Sequence, residues 1–250
     1  ADTAANTAVQ TADPSIVTTN GIQGWPQASD ISSTAAIVME TSTNTVLYSK
    51  NADQALYPAS AVKVMTCLMA LENSSLDDQV TMTATGVSGV TDGGANISAQ
   101  LDEVFTMEQC LYAIMVASAN DIALQVAEHI SGSVEDFVAA MNTRAQELGC
   151  TNTVFTNPTG LPDDNQHTTA HDLALIMKAA ISNDSFRTIS GATSYTIPAT
   201  NVSGGARNLT SSFSMTTPTS ATYYQGCIGG RESTTTTSGS VLVTAAERNS

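Results

Sequence analysis

Apolar residues recur at three- and four-residue intervals through the middle of the chain, which is the pattern of helices packed against a core. One run is more strongly apolar than the others and predicts a buried helix whose first turn begins near Ser60. Its apolar positions are Val64, Met65, Leu68, Met69 and Leu71. Ser60 and Lys63 stand at the start of this run, so two reactive side chains enter an apolar environment together.

Four further helices and several short strands are predicted in the same way. The helices run from Thr106 to about Val116, from Ile122 to Ile130, from Ser133 to Gly149 and from Leu173 to Ile181, and Thr106, Ser133 and Thr169 have the spacing of N-caps. Runs of β-favouring residues at 36–40 and 45–48 predict a hairpin, and strands and loops are expected after Asn183. Strands at both ends of a helical middle predict an α+β domain.

The first 24 residues differ from the rest in composition. They are rich in Ala, Thr and Asn without a hydrophobic period, which predicts a flexible leader at 1–24. Trp25-Pro26 marks the expected start of a single domain, 25–250. Neither a basic-then-apolar leader nor an apolar run of about 18 residues occurs, so we expect no signal peptide, transmembrane helix or membrane anchor in the chain as given.

Composition and charge exclude several classes of function. Of the 250 residues, 42% are apolar, which allows a sizeable core. The chain has 8 Lys plus Arg against 23 Asp plus Glu, a net charge of -15, so nucleic acid is not expected as a partner. The chain's lysines are Lys50, Lys63 and Lys178, and one of them lies in the apolar run.

The cysteines are spaced too widely for a zinc knuckle and form no C-x-x-C pair. They are Cys67, Cys110, Cys150 and Cys227. Cys67 and Cys110 lie in apolar helical segments, where packing of free thiols is favoured over a disulfide, although three pairings remain open.

The histidines favour neither a metal site nor a Ser-His-Asp triad. His167 and His171 have i, i+4 spacing without a supporting Glu-x-x-His, so a place near a helix cap is favoured over zinc. His129 has no acidic partner at triad spacing, and the chain lacks a G-x-S-x-G elbow. We therefore expect no metal site.

The spacing of Ser60 and Lys63 places both side chains on one face of the predicted helix. Free N–H groups of the first turn and the positive end of the helix dipole would lie beside the serine and stabilise developing negative charge. Burial lowers the pKa of a lysine, and a neutral lysine can act as a base. Ser60 is thus a candidate nucleophile with Lys63 as its base. The alternative is that Ser60 is an N-cap and Lys63 a solvated residue of the first turn.

A polar tripeptide, Ser118-Ala119-Asn120, interrupts the helical pattern further along the chain. Such a break can direct a hydroxyl and a carboxamide into a cleft, where Ser118 relays a proton from Lys63 and Asn120 holds a substrate amide. The alternative is that Asn120 and Asp121 cap the next helix.

Together these elements resemble the penicillin-binding protein and serine β-lactamase superfamily, and most closely its D-alanyl-D-alanine carboxypeptidase branch. The segments that match this branch are Tyr57-Pro58-Ala59-Ser60-x-x-Lys63, Ser118-Ala119-Asn120-Asp121, Asn157-Pro158-x-Gly160-Leu161 and His167-Thr168-Thr169-Ala170-x-Asp172-Leu173-Ala174. The resemblance implies a β-lactamase/transpeptidase-like α+β fold, in which one antiparallel sheet is flanked by helices and the active cleft separates it from a helical subdomain.

The third motif of the family, Lys-Thr-Gly, is replaced here by Arg231-Glu232-Ser233. In the family the lysine and threonine hold the substrate's carboxylate, and the glycine lets the substrate backbone approach. Arg231 keeps the positive charge but cannot lose its proton. Neighbouring strand residues point to opposite faces, so Arg231 and Glu232 should not both face the substrate. A Glu232 that did face it would repel a substrate carboxylate by ~1–4 kcal/mol.

The resemblance implies a serine-type D-alanyl-D-alanine carboxypeptidase that acts on peptidoglycan stem peptides through an acyl-enzyme on Ser60. It assigns proton transfer to Lys63 and Ser118, and it assigns binding of the substrate or its oxyanion to Asn120, Arg231, Thr234 and the N–H of Ser60. It also implies β-lactams as covalent inhibitors and a location outside the cell or in the cell envelope.

Two alternatives accompany this function. A catalytically impaired homologue that binds peptidoglycan or a protein partner is suggested by the altered third motif. A β-lactamase ranks lower, because no glutamate is clearly placed as a deacylating base.

Overall fold

The computed structural model describes residues 16–20, 22–24, 28–29, 31–90 and 94–248. The helices in this part of the chain are α1 Val62–Asn73, α2 Ala84–Ser88, α3 Met107–Ala117, α4 Asn120–Ser131, α5 Val134–Glu147, α6 Ala170–Ile181 and α7 Asp184–Ser190. The strands are β1 Ile16–Thr18, β2 Ala36–Met39, β3 Val46–Lys50, β4 Gln79–Thr81, β5 Val104–Thr106, β6 Ser194–Ile197, β7 Arg207–Thr210, β8 Cys227–Thr235 and β9 Gly239–Ala246. The α+β class predicted from the sequence is confirmed.

All strand pairs are antiparallel among the residues described. β3 lies between β1 and β2, and β4–β5, β6–β7 and β8–β9 form separate pairs. The resemblance implied a single sheet, whereas the hydrogen bonds here divide the strands into four groups. Helix α6 packs against both β2 and β9, so it joins the first group to the last.

Helix α1 is the centre of the core and carries the predicted nucleophile and base near its start. Every residue from Val62 to Ala70 is buried, and the helix packs against α3, α4, α5, α6 and α7. A helix surrounded on all sides needs apolar residues on all sides, which explains why the buried part of α1 is apolar except for Lys63 and Thr66.

Side-chain caps fix where several helices begin, as the sequence predicts. Thr106 and Gln109 form a reciprocal capping box at α3. Ser133 accepts a hydrogen bond from the N–H of Asp136 at the start of α5. Thr169 caps α6, which begins at Ala170 and therefore three residues earlier than expected.

Two expectations need correction or limitation. The chain after Asn183 was expected to contain strands and loops, but Asn183 caps the short helix α7 through the N–H groups of Ser185 and Phe186. Its seven residues are too few to show a helical period. Strand β1 lies inside the predicted leader 1–24 and pairs with β3, so the sheet includes residues before the expected start at Trp25. Trp25-Pro26 itself lies outside the described residues, and the boundary remains a prediction.

Candidate active site

Ser60 lies in a 3-10 turn, Ala59–Ala61, that leads directly into α1. The turn depends on Ala59, whose φ of 45° is in the left-handed region. Gly160 packs against this backbone so closely that a Cβ there would lie 2.0 Å from the Ala59 carbonyl oxygen. The first residue before α1 is Ala61, without a side-chain cap, so the alternative that Ser60 acts as the N-cap is wrong.

Lys63 is buried, with 1% of its surface exposed. Its amine donates hydrogen bonds to Asn120 Oδ1 at 2.6 Å and to the carbonyl oxygen of Thr159. Burial, and next the positive charge of Arg231, lower the pKa of Lys63 from 10.5 to about 7. The alternative of a solvated lysine is therefore wrong, and a substantial neutral fraction is present near pH 7.

Ser118 occupies the break between α3 and α4 that the sequence predicts. Its φ of 58° and ψ of 28° place it in the left-handed region at the end of α3. Its hydroxyl lies 3.4 Å from that of Ser60, at the long end of hydrogen-bond distance. The two hydroxyls come from segments 58 residues apart, and the packing of α1 against α3 and α4 brings them together.

Asn120 is the second residue after this break and points towards Lys63. Ala119 takes the N-cap position of α4 without a side-chain bond, so Asn120 does not cap the helix as the alternative proposed. Its carboxamide oxygen holds the lysine amine. The amine makes no hydrogen bond with the Ser60 hydroxyl in the described structure, so the serine faces Ser118 while the lysine faces Asn120.

The loop that follows Asn157 supplies the second partner of the lysine amine. Asn157 Oδ1 accepts hydrogen bonds from the N–H and hydroxyl of Thr159 and from the N–H of Gly160, and its amide group donates to Leu161 O. This network fixes the carbonyl of Thr159 on Lys63 and presses Gly160 onto the Ser60 turn.

Strand β8 forms the opposite wall, and its residues alternate as the sequence predicts. Arg231 is buried, and its Nη1 donates to the carbonyl oxygen of Met115 at 2.8 Å, within the last turn of α3. Ser233, two residues on, accepts a hydrogen bond from the N–H of Ser60 at 3.2 Å. Both residues therefore face the helices that carry the serines.

Glu232 points to the other side of β8. Its carboxylate accepts hydrogen bonds of 3.0 Å from the N–H and hydroxyl of Ser214. The repulsion expected if Glu232 faced a substrate carboxylate does not arise, because the Glu232 side chain points away from Ser60 and is hydrogen-bonded to Ser214. The Thr234 hydroxyl lies 3.0 Å from that of Ser240 on β9, and the suggested role of the Thr234 N–H stays a prediction.

Arg231 is held differently from an exposed anion-binding arginine. Burial lowers its pKa, and its Nε has no hydrogen-bond partner among the described residues. The guanidinium ties β8 to an unpaired carbonyl at the end of α3, where a cation is favoured by the helix dipole. Its charge also acts on Lys63 and favours the neutral amine.

A small, open surface depression adjoins the Ser60 turn, between residues 57–59, the loop 160–166 and the turn at the end of β8. The polar groups on its wall include Asp163, Gln166, Thr235 and Ser238.

Sequence reasoning noticed the motif around Asn157 but gave its residues no role. The side-chain network of Asn157 could be suspected from the motif alone, whereas the contact made by the Thr159 backbone carbonyl carries no sequence signal. The sequence suggests Asp121 only as a cap, yet its buried carboxylate accepts hydrogen bonds from the N–H groups of Ile97 and Ala99 and fixes the segment beside Asn120.

The cysteines and histidines are the remaining candidate groups from the sequence, and the contacts they make are structural. The four cysteines are free thiols, and three of them are buried. His171 contacts Asp53 at the surface, and His167 Nδ1 lies 3.1 Å from the carbonyl oxygen of Asn165. Among residues the structure describes, no cluster of three or more His, Cys, Asp or Glu side chains suits a metal ion. None of the helices in these residues has an apolar stretch of the length that a membrane span requires.

The geometry supports acyl transfer to a serine. A hydroxyl at the start of a helix, a second hydroxyl 3.4 Å away and a buried lysine with a lowered pKa are the kinds of group that acyl transfer needs as a nucleophile, a proton relay and a base. The arrangement requires no imidazole and no metal ligand.

Comparison with known proteins gives a consistent result. Residues 23–250 match the family model of D-alanyl-D-alanine carboxypeptidase. The chain is 37% identical over 162 residues to D-alanyl-D-alanine carboxypeptidase DacF of Bacillus subtilis, which covers 63% of this chain and 41% of that protein. It is 31% identical over 217 residues to D-alanyl-D-alanine carboxypeptidase DacB2 of Mycobacterium tuberculosis, covering 85% of this chain and 69% of the relative.

Solved structures agree with the sequence matches. The Streptomyces K15 DD-transpeptidase superposes with a TM-score of 0.81 at 27% identity, covering 89% of this chain and 88% of that one. The chain spans only about two fifths of the length of some curated relatives, as with DacF. The family match and the fold nevertheless lead to one conclusion: this chain belongs to the D-alanyl-D-alanine carboxypeptidase family.

Proposed function

We propose that this protein is a serine-type D-alanyl-D-alanine carboxypeptidase that acts on peptidoglycan stem peptides. The observation that carries the proposal is Lys63, a buried lysine with a pKa of about 7 that lies one helical turn from Ser60. A buried lysine that is about half neutral at pH 7, beside a serine at a helix start, is an arrangement that activates a nucleophile.

In the proposed acylation, Ser60 Oγ attacks the carbonyl carbon between two D-alanines and loses its proton to Lys63. Ser118 passes a proton to the leaving amine, the C–N bond breaks, and the terminal D-alanine departs while its neighbour stays esterified to Ser60. Water then hydrolyses the ester and restores the serine hydroxyl.

Substrate binding is assigned to the walls of the cleft. Asn120 is proposed to hold a substrate amide, and Arg231 contributes positive charge near the substrate's carboxylate. The N–H groups of Ser60 and Thr234 are proposed to bind the oxyanion of the tetrahedral intermediate. The chemistry requires no metal or organic cofactor, and the substrate implies action outside the cell or in the cell envelope.

A β-lactam tests this proposal because its amide is attacked as the peptide would be. Intact-mass spectrometry after incubation with benzylpenicillin should show one adduct with the parent and none with Ser60→Ala. Circular dichroism must show that both proteins are folded. If the folded parent forms no adduct, or if Ser60→Ala forms one equally well, the acyl-enzyme mechanism is refuted.

A second candidate function is binding of peptidoglycan without turnover. It is favoured by Arg231, which is buried against α3 instead of exposed to a substrate, and by Ser233, whose hydroxyl occupies the N–H of Ser60. The triple change Arg231→Lys, Glu232→Thr and Ser233→Gly separates the candidates. Carboxypeptidase activity that appears only in the triple variant supports binding without turnover, and activity in the parent itself rules it out.

A further inference from the structure

The hydroxyl of Ser233 contacts the backbone N–H of Ser60, the residue that carries the proposed nucleophile. Ser60 N–H donates to Ser233 Oγ at 3.2 Å, although 173 residues separate the two in the chain. The site is partly buried. The N–H of Ser60 is therefore already hydrogen-bonded to a side chain of the protein itself.

The position of the Ser233 backbone and Cβ is determined by β8. Ser233 pairs with Val241 in an uninterrupted stretch of the β8–β9 ladder, and β8 packs on the turn that contains Ser60. Arg231, on the same face of β8 as Ser233, is hydrogen-bonded to Met115. Glu232, on the opposite face, is hydrogen-bonded to Ser214. The strand therefore cannot turn Ser233 away from Ser60 without breaking these contacts.

The occupied N–H matters for the chemistry. When Ser60 Oγ attacks a carbonyl, negative charge develops on the carbonyl oxygen, and donors already oriented towards that oxygen lower the barrier. The N–H of Ser60 is such a donor, and a carbonyl oxygen must displace the Ser233 hydroxyl to reach it.

We propose that Ser233 slows the acylation of Ser60 by occupying the N–H that would otherwise stabilise the oxyanion. This inference rests on the proposed function and adds a residue that sets the rate of its first step. Displacing one neutral hydrogen bond in a partly buried site changes a rate by roughly threefold to tenfold, so the contact slows the reaction without abolishing it.

Four variants test the inference with a fluorescent penicillin as the probe. Ser233→Ala removes the hydroxyl and keeps the Cβ, Ser233→Gly removes both, and Ser233→Thr keeps the hydroxyl. Ser240→Ala is the matched control, because it removes an exposed serine hydroxyl from the same hairpin. The second-order rate constant of acylation is measured for each, with Ser60→Ala as the blank.

The Ala and Gly variants should label roughly threefold to tenfold faster than the parent, while the Thr variant and Ser240→Ala stay within about twofold of it. The amide proton resonance of Ser60, measured by NMR in protein that has not been treated with penicillin, should shift in Ser233→Ala and not in Ser240→Ala. A change in folding alone would not produce faster labelling.

Two results overturn the inference alone: equal rates for parent and Ser233→Ala, or slower labelling of Ser233→Ala, which would mean that the hydroxyl assists the oxyanion. Absence of Ser60-dependent labelling in the parent and in every folded Ser233 variant overturns the proposed function, and this inference with it.

Discussion

The lowered pKa of Lys63 predicts how acylation depends on pH. With a pKa of about 7, about a tenth of the lysine is neutral at pH 6, about half at pH 7 and about nine tenths at pH 8. If the neutral amine is the base, the rate constant for acylation by benzylpenicillin should rise nearly tenfold from pH 6 to pH 8 and then level off. A lysine with its ordinary pKa would give no plateau in this range.

Rapid-mix labelling with fluorescent penicillin over about pH 5.5 to 9 measures this profile. Lys63→Arg is the matched control, because its guanidinium remains charged throughout and should leave only a slow reaction without a rise near pH 7. A flat profile in the parent, or a rate that still increases tenfold per pH unit above pH 8, would refute the role assigned to the neutral lysine.

The same pKa has a consequence for stability that does not require activity. The folded-state pKa of Lys63 lies below the unfolded value, so the unfolded chain holds more protons between about pH 7 and 10.5 and stability rises with pH there. Moving the pKa from 10.5 to about 7 corresponds to about 5 kcal/mol, of which about 2 kcal/mol is recovered between pH 7 and pH 9.

Urea unfolding of the parent and of Lys63→Met measures this term. The methionine is neutral and of similar length, so the variant should have the higher free energy of unfolding at pH 7. This advantage over the parent should shrink by about 2 kcal/mol from pH 7 to pH 9. An advantage that stays constant from pH 7 to pH 9 would show that folding does not lower the pKa of Lys63.

Three further predictions concern residues that position the site. Gly160→Ala should lower the free energy of unfolding by at least about 2 kcal/mol and abolish penicillin labelling, because its Cβ would lie 2.0 Å from Ala59 O. Thermal melts and labelling measure both effects. Gly204→Ala is the control and should change neither stability nor labelling, because Gly204 has open space around it. Asn157→Ala should slow labelling more than tenfold while the protein stays folded by circular dichroism, since the loop holding Lys63 loses its network; unchanged labelling would contradict this role. Thr169→Ala should cost about 1 kcal/mol in urea unfolding through loss of a helix cap and leave the labelling rate unchanged.

Much of the fold was predictable because local patterns agree with it. The capping box at Thr106 and the caps at Ser133 and Thr169 are short-range interactions, so the sequence shows them directly. Helix α7 was missed since its seven residues hold too few apolar positions for a period, and its stability comes from burial of Phe186 and Ile189. Strand β1 was missed for a similar reason, because three residues carry no alternation.

For the site, the sequence predicted candidate catalytic residues but not their arrangement. Ser60, Lys63 and Ser118 stand in recognisable motifs, and the spacing within one helix predicts that Ser60 and Lys63 lie close together. The partners of Lys63 could not be predicted in full, since one of them is the backbone carbonyl of Thr159, which any residue could supply.

The sequence by itself determined that this chain contains a buried helix with a serine and a lysine at its start, and that a polar break follows later. Local spacing and apolar periodicity suffice for those statements. Only the tertiary structure decided that the replaced third motif places Arg231 against α3, turns Glu232 away and sets Ser233 on the N–H of Ser60. The reason is physical: strand alternation fixes which residues share a face, but what lies opposite that face depends on contacts between segments more than 100 residues apart.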